Sequence, residues 1–168
     1  MEHTGDLPAE PRAHEESVRV AATPEQLYVL VSDVTRTGEW SPVCQTCWWD
    51  DGDEPGPDGP RVGARFTGRN VLPERTWETR SRVVAAEPGR EFAWEVGDGY
   101  VRWGYRMEPA GQPGITLLTE SWEFTDAGLA YFAERFGEKA PAAIEARTQQ
   151  ALAGIPATLA ALQRIAES

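Results

Sequence analysis

The sequence predicts an α+β fold: a strand, two short helices, a run of six further strands and one long C-terminal helix. Three observations predict it. Residues 15–22, ESVRVAAT, alternate Val18, Val20 and Ala22 with polar or small neighbours and lead directly into a helix start. Between 43 and 124, short alternating segments are separated by turn-forming residues, the pattern of an antiparallel meander. From Pro141 to about Ala166 one apolar stripe keeps helical phase.

The elements follow in order. After the first strand, Thr23 can cap a helix, Pro24 suits its first position, and Gln26 stands three residues after the cap. Leu27, Leu30, Val31 and Val34 then share one face. A second short helix or turn covers 35–40 and ends at Trp40-Ser41-Pro42, because Pro42 disfavours helix at Ser41. VCQTCWWDD is the next strand, and 51–60 is a loop by its Pro, Gly and Asp content. RVGARFTGRNVL places Val62, Ala64, Phe66, Gly68 and Asn70 together, with Arg65 and Arg69 on the opposite face. RTWETRSRVVAAEP sets Trp77, Thr79, Ser81 and Val83 against Glu78, Arg80 and Arg82. A hairpin then pairs Phe92, Trp94 and Val96 with Val101, Trp103, Tyr105 and Met107 across Gly97-Asp98-Gly99. The last strand groups Thr116, Leu118, Glu120, Trp122 and Phe124.

Asp126 can cap a helix that Gly137 stops. The long helix carries Ile144, Thr148, Leu152, Ile155, Leu159, Leu162 and Ile165 in one stripe. Because the stripe holds phase through Pro156, one helix kinked there is expected. This helix is rich in Ala and Gly, whereas the sheet face is rich in aromatics. Large rings opposite small residues either fill the space between them or leave an apolar void that takes an apolar ligand.

Composition narrows the function. At 168 residues and 40% hydrophobic, the chain suits one globular domain, read as a tail at 1–14 and a domain at 15–168. A net charge of −11 argues against nucleic acid and against polybasic docking on anionic lipid. No apolar run reaches the ~20 residues of a membrane span, so integral membrane association is not expected. The first residues lack the pattern of a secretory signal, which points to the cytoplasm. Both histidines, His3 and His14, fall in the predicted tail, leaving the body without one as base or metal ligand. Lys139 is the only lysine. No Ser-His-Asp set, phosphate-cradling loop or dinucleotide fingerprint is present.

The stretch GEWSPVCQTCWWDD offers Cys44-x-x-Cys47 beside Trp40, Trp48 and Trp49. One such pair without a body histidine does not assemble four zinc ligands, so no metal and no cofactor are expected. Residues three apart on a regular strand point to opposite faces, so the two are expected as separate reduced thiols. Trp48 and Trp49 face opposite ways, and which one turns inward stays open. The inward polar groups are Asn70, Thr79, Ser81, Tyr105 and Glu120, and burying them costs free energy unless they are paired. A carboxyl at Glu120 would have its pKa raised and could serve as acid or base, or orient a ligand, or pair with an arginine. Tyr105 could donate to a ligand carbonyl or be a packed tyrosine.

These pieces resemble the START/Bet v1-like (SRPBCC) superfamily, particularly its bacterial polyketide cyclase/dehydrase group. The matching stretches are VAATPEQLYVLVSDVTRTGEWSP, VGARFTGRN, VVAAEPGREFAWEV, TESWEF and GIPATLAALQRIA, together spanning about residues 15–166. The resemblance implies a helix-grip fold: a curved seven-stranded antiparallel sheet wrapped around the C-terminal helix, with a cavity between them. It also implies a Trp-x-Pro turn at the cavity rim, matched by Trp40-Ser41-Pro42. Members bind lipids, polyketides or other apolar molecules, and some are cyclases or aromatases.

The residues expected to line a ligand are therefore Trp40, Phe66, Asn70, Trp77, Trp94, Trp103, Tyr105, Glu120, Trp122 and Leu152. The leading reading is binding of a small hydrophobic or aromatic molecule. The alternative is a cofactor-free cyclase, aromatase or dehydratase using Glu120 and Tyr105. A regulatory protein-interaction module is the third, and a homodimer stays open.

Overall fold

The structure, a computed structural model, describes residues 12–168. Strand β1 (Ala13–Val20) leads to helix α1 (Pro24–Val31) and a 3-10 turn (Val34–Glu39). Then come β2 (Cys44–Trp49), β3 (Arg65–Leu72), β4 (Arg75–Glu87), β5 (Glu91–Val96), β6 (Val101–Pro109) and β7 (Thr116–Phe124). Helix α2 (Asp126–Phe136), a short 3-10 turn (Gly137–Lys139) and α3 (Ala140–Glu167) complete the chain. The strands form one antiparallel sheet in the order β1-β7-β6-β5-β4-β3-β2. This is the helix-grip arrangement, with β1 and β2 at the edges.

Local chemistry sets the boundaries. At α1 the capping box forms: Gln26 N donates to Thr23 Oγ1 at 3.1 Å, and Thr23 N donates to Gln26 Oε1 at 2.9 Å. At α2 the cap is Thr125, not Asp126. Gly128 N donates to Thr125 Oγ1 at 3.0 Å while that hydroxyl donates to the Gly99 carbonyl at 2.6 Å. One hydroxyl thus starts the helix and ties it to the β5–β6 turn, which explains why the cap falls one residue early. The turn itself needs Gly97 at φ 63° and Gly99 at φ 83°, where a Cβ is strained. Helix α3 runs 28 residues, about 42 Å, with Pro156 inside it on an exposed face. No helix of the described residues is long and apolar enough to cross a membrane.

Three expectations are corrected here. Residues 1–11 of the predicted tail, His3 among them, lie outside the described residues, while residues 13 and 14 already belong to β1. His14 is therefore in the folded body, its Nε2 2.8 Å from Glu16 Oε2. Strand β3 starts at Arg65 rather than at residue 61, and Val62 is exposed. Asp53 holds that approach as a loop, accepting from Arg61 at 2.8 Å and from the Arg65 backbone N–H at 2.9 Å.

The third correction concerns β2. Its pairing with β3 slips between Cys44 and Thr46, a β-bulge at Gln45. The extra residue rotates Cys44 onto the same face as Cys47. The bulge rests on the preceding turn at Gly38, where any Cβ would overlap the Gln45 carbonyl oxygen.

The core is one continuous cluster that runs from the C-terminal half of α3 to the cavity walls. Ile155, Leu159 and Leu162 of α3 are buried, as are Val20 of β1, Leu118 of β7 and Leu27 of α1. Phe92 and Val83 continue the core along the sheet.

Gly38→Ala should destabilise the protein by about 1–3 kcal/mol, since the obstructing atom is backbone and cannot swing away. Gly56→Ala, where a Cβ meets nothing, should stay within about 0.5 kcal/mol. Urea unfolding of the two variants checks the pair.

Candidate functional site

Between the sheet and the N-terminal half of α3 lies a cavity of about 770 Å³, a size suited to a drug-sized ligand. Its inner face is built by strand alternation. Phe66 from β3, Trp77 from β4, Phe92 and Trp94 from β5, Trp103 and Tyr105 from β6, and Glu120 and Trp122 from β7 all line it. The rings interlock: Phe66 and Trp94 stand 6.0 Å apart edge to face, and Trp94 lies 5.9 Å from Tyr105. Such pairs hold their geometry without a ligand to order them. A second hollow, lined by Arg19, Gln112 and Glu167, has no aromatic side chain.

Of the residues expected to line a ligand, the structure brings Trp40, Phe66, Asn70, Trp77, Trp94, Trp103, Tyr105, Glu120 and Trp122 to this one cavity. Trp40 is buried and lines the cavity where the Trp-x-Pro turn leaves the 3-10 segment, its indole hydrogen-bonded to Tyr105 rather than at the rim. Asn70 donates to Thr79 Oγ1 at 3.2 Å, so Thr79 orients its amide. Leu152 is the exception. It is half-buried and off the cavity, because α3 turns Arg147, Ala151, Gly154 and Thr158 inward instead. That face steps by three or four residues, one position away from the stripe drawn through Leu152. Its members are small, so hydrophobicity alone does not mark it.

Helix α2, which the sequence marks only by its cap and its stop, brings Tyr131, Phe132 and Phe136 to close the cavity from its side. Tyr131 stacks on Tyr100 with ring centres 4.2 Å apart. The thiols also belong to the lining. Cys44 and Cys47 are free, and their sulfurs reach to 3.2 and 3.7 Å from the point where Gly68 would carry a Cβ. A shared hydrogen bond holds the Cys44 thiol below, and the Cys47 thiol above, the usual range. Trp49 is the inward member of its pair, packing 5.4 Å from Phe66, while Trp48 is exposed.

The chemistry concentrates where β6 meets β7. Tyr105 and Glu120 are directly opposed across the two strands, and both are buried. Glu120 Oε1 makes no hydrogen bond among the described residues. Loss of water pushes the Glu120 carboxyl well above the ordinary carboxylate range; the neighbouring Tyr105 hydroxyl opposes this, and the charge of Glu16 adds to it. Tyr105 is also raised, first by burial and then by Glu120, with the Trp40 indole pulling the other way. Glu16 faces Glu120 from β1 and is itself joined to His14. The arrangement therefore places a carboxyl that favours its protonated form at the cavity wall, beside a phenol and below an aromatic cage.

The chain matches the family described as polyketide cyclase/dehydrase and lipid transport over residues 12–160. Among curated proteins, none matches it. It is similar to a polyketide cyclase-like protein from Corynebacterium glutamicum at 55% identity, covering 94% of this chain and 93% of that one, with a TM-score of 0.66. It shares its fold with the Zhui aromatase/cyclase from a Streptomyces species, at 20% identity, 91% and 94% coverage and a TM-score of 0.64. A START superfamily protein from Mycobacterium smegmatis has the same fold, at 18% identity, 82% and 97% coverage and a TM-score of 0.53.

A carboxyl whose pKa is raised on folding binds its proton more tightly in the native state. Its stabilising contribution is complete below the unfolded value, near 4.5, and is lost as pH rises through the native one. The thermal midpoint of Glu120→Gln, relative to that of the unsubstituted protein, should therefore climb steadily with pH above the carboxylate range. Parallel midpoint-against-pH curves for the two proteins would show that Glu120 is solvated.

Proposed function

The chain belongs to the polyketide cyclase/dehydrase and lipid transport family, and from that premise we propose that it holds a small hydrophobic or aromatic molecule between the sheet and α3. The observation that carries this reading is the cavity of about 770 Å³ walled by interlocked rings. An apolar guest there replaces water against rings that already hold their positions, so little ordering opposes binding. Small residues on α3, Ala151 and Gly154, keep the space open from the helix side. Asn70, Tyr105 and Glu120 are the polar points that would set the guest's orientation.

A second reading rests on the unpartnered Glu120 Oε1. A neutral acid in an apolar wall can donate its proton to a β-hydroxyl of a bound carbonyl compound, which leaves as water. The carboxylate so formed can take the α-proton, restoring the acid and leaving an alkene. Tyr105, opposite Glu120, would donate a hydrogen bond to the carbonyl as charge develops on it. This chemistry asks for a shaped cavity and these two groups, and favours the dehydratase or cyclase reading within the same family.

Native mass spectrometry followed by denaturation and organic extraction tests the first reading. A stoichiometric apolar molecule is the expected release. With ligand-free protein, the neutral probe N-phenyl-1-naphthylamine should bind, and Ala151→Trp should weaken it at least about tenfold while the circular dichroism spectrum is kept. Glu120→Gln should hold probe affinity within about threefold. If the protein is a dehydratase, the same variant should lose at least about a hundredfold in turnover of a β-hydroxyacyl thioester.

A further inference from the structure

The cavity mouth carries a charge pattern opposite to that of the whole protein. The chain has net charge −11, yet the residues lining the cavity include Arg75, Arg135 and Arg147. Arg75 lies at the start of β4, two residues before Trp77 and on the same face. Its guanidinium stands 4.0 Å from the centre of the Trp77 ring. From the opposite wall, Arg147 of α3 reaches the same ring at 5.4 Å and the Phe132 ring at 5.8 Å. Arg135 of α2 lies over Phe136 at 5.6 Å.

None of these three arginines has a carboxylate within ion-pair distance among the described residues, although five other arginines do. The lining carboxylates do not answer them. Glu78 alternates to the face away from Trp77, and Glu120 lies on β7 opposite Tyr105 with no arginine within ion-pair distance among the described residues. Arg147 carries its charge against resistance, since burial first and Arg75 second both press its pKa down. Two guanidinium groups share one indole without a carboxylate partner among the described residues, Arg75 exposed and Arg147 half-buried, and form a receptor lacking only its anion. Guanidinium is suited to that role by its planar donors, which match the oxygens of a carboxylate or a phosphate.

Building on the cavity reading, we propose that the molecule this protein holds is an anionic amphiphile. Its carboxylate or phosphate group is bound at the mouth between Arg75 and Arg147, and its apolar body lies along Trp94, Trp103 and Phe66. The proposal names the class of guest, which neither the family nor the fold does. It also orients the guest, with the charged end outward and the far end toward Tyr105 and Glu120.

The test is competition against N-phenyl-1-naphthylamine by decanoate, decyl phosphate and decan-1-ol at low salt, each below its aggregation threshold. One or both anions should compete at least about tenfold more tightly than the alcohol, and their ratio tells a carboxylate site from a phosphate site. In the double variant Arg75→Gln, Arg147→Gln the preference should vanish while alcohol affinity stays within about twofold, which also shows the variant to be folded. Equal affinity of the alcohol and both anions, or a preference surviving in the double variant, would overturn the proposal and leave the apolar cavity standing. If neither the probe nor any of the three compounds binds, the cavity reading and the proposal fall together.

Discussion

The structure depends on how α3 is seated. Its C-terminal half, through Ile155, Leu159 and Leu162, packs into the end of the sheet where β1 and β7 lie. That contact is a close-packed apolar core, and it fixes the angle at which the remaining turns of the helix stand over the sheet. The turns before Ile155 carry Arg147, Ala151 and Gly154 where a filled core would need large apolar side chains. An apolar space between them survives because the rings on the sheet brace one another.

Most of the architecture was legible because two periodicities alternate along the chain. Period two in residues such as Trp77, Thr79 and Ser81, or Trp103 and Tyr105, assigned the inward face correctly, and register did the rest. The capping box at Thr23 was legible to the residue. What escaped were features that arise from one extra residue or from a hydroxyl with two partners. The bulge at Gln45 moves Cys44 across the sheet, and nothing in CQTC announces it. Thr125 displaced Asp126 as cap because a neighbouring turn supplied its second hydrogen bond. The helix face at the cavity was missed for a different reason. Its small residues give no hydrophobic signal, so the stripe through Leu152 looked like the inward one.

The site was legible in its sheet half and obscure in its helix half. Trp40, Phe66, Trp94, Trp103 and Trp122 could be found by alternation and by one turn motif. Arg75 could have been found the same way, since it shares the parity of Trp77. Arg147 could not, because its significance lies in a ring contributed by a strand seventy residues earlier. Electrostatics follows the same division. The chain as a whole is acidic, whereas Arg75, Arg135 and Arg147 stand together on the cavity lining. Charge summed over a sequence thus says little about the potential inside a cavity.

The bulge at Gln45 has an effect beyond the thiols it gathers over Gly68. An open sheet of seven strands ends in two edges, and β2 is one of them. An edge that is flat and regular offers its unpaired N–H and C=O groups to any extended chain, including another copy of itself. Here the edge strand is only six residues long, is preceded by Pro42, and is broken in phase after its first residue. A foreign strand laid along it would lose register almost at once, so the irregularity guards the molecule against growing into a continuous sheet.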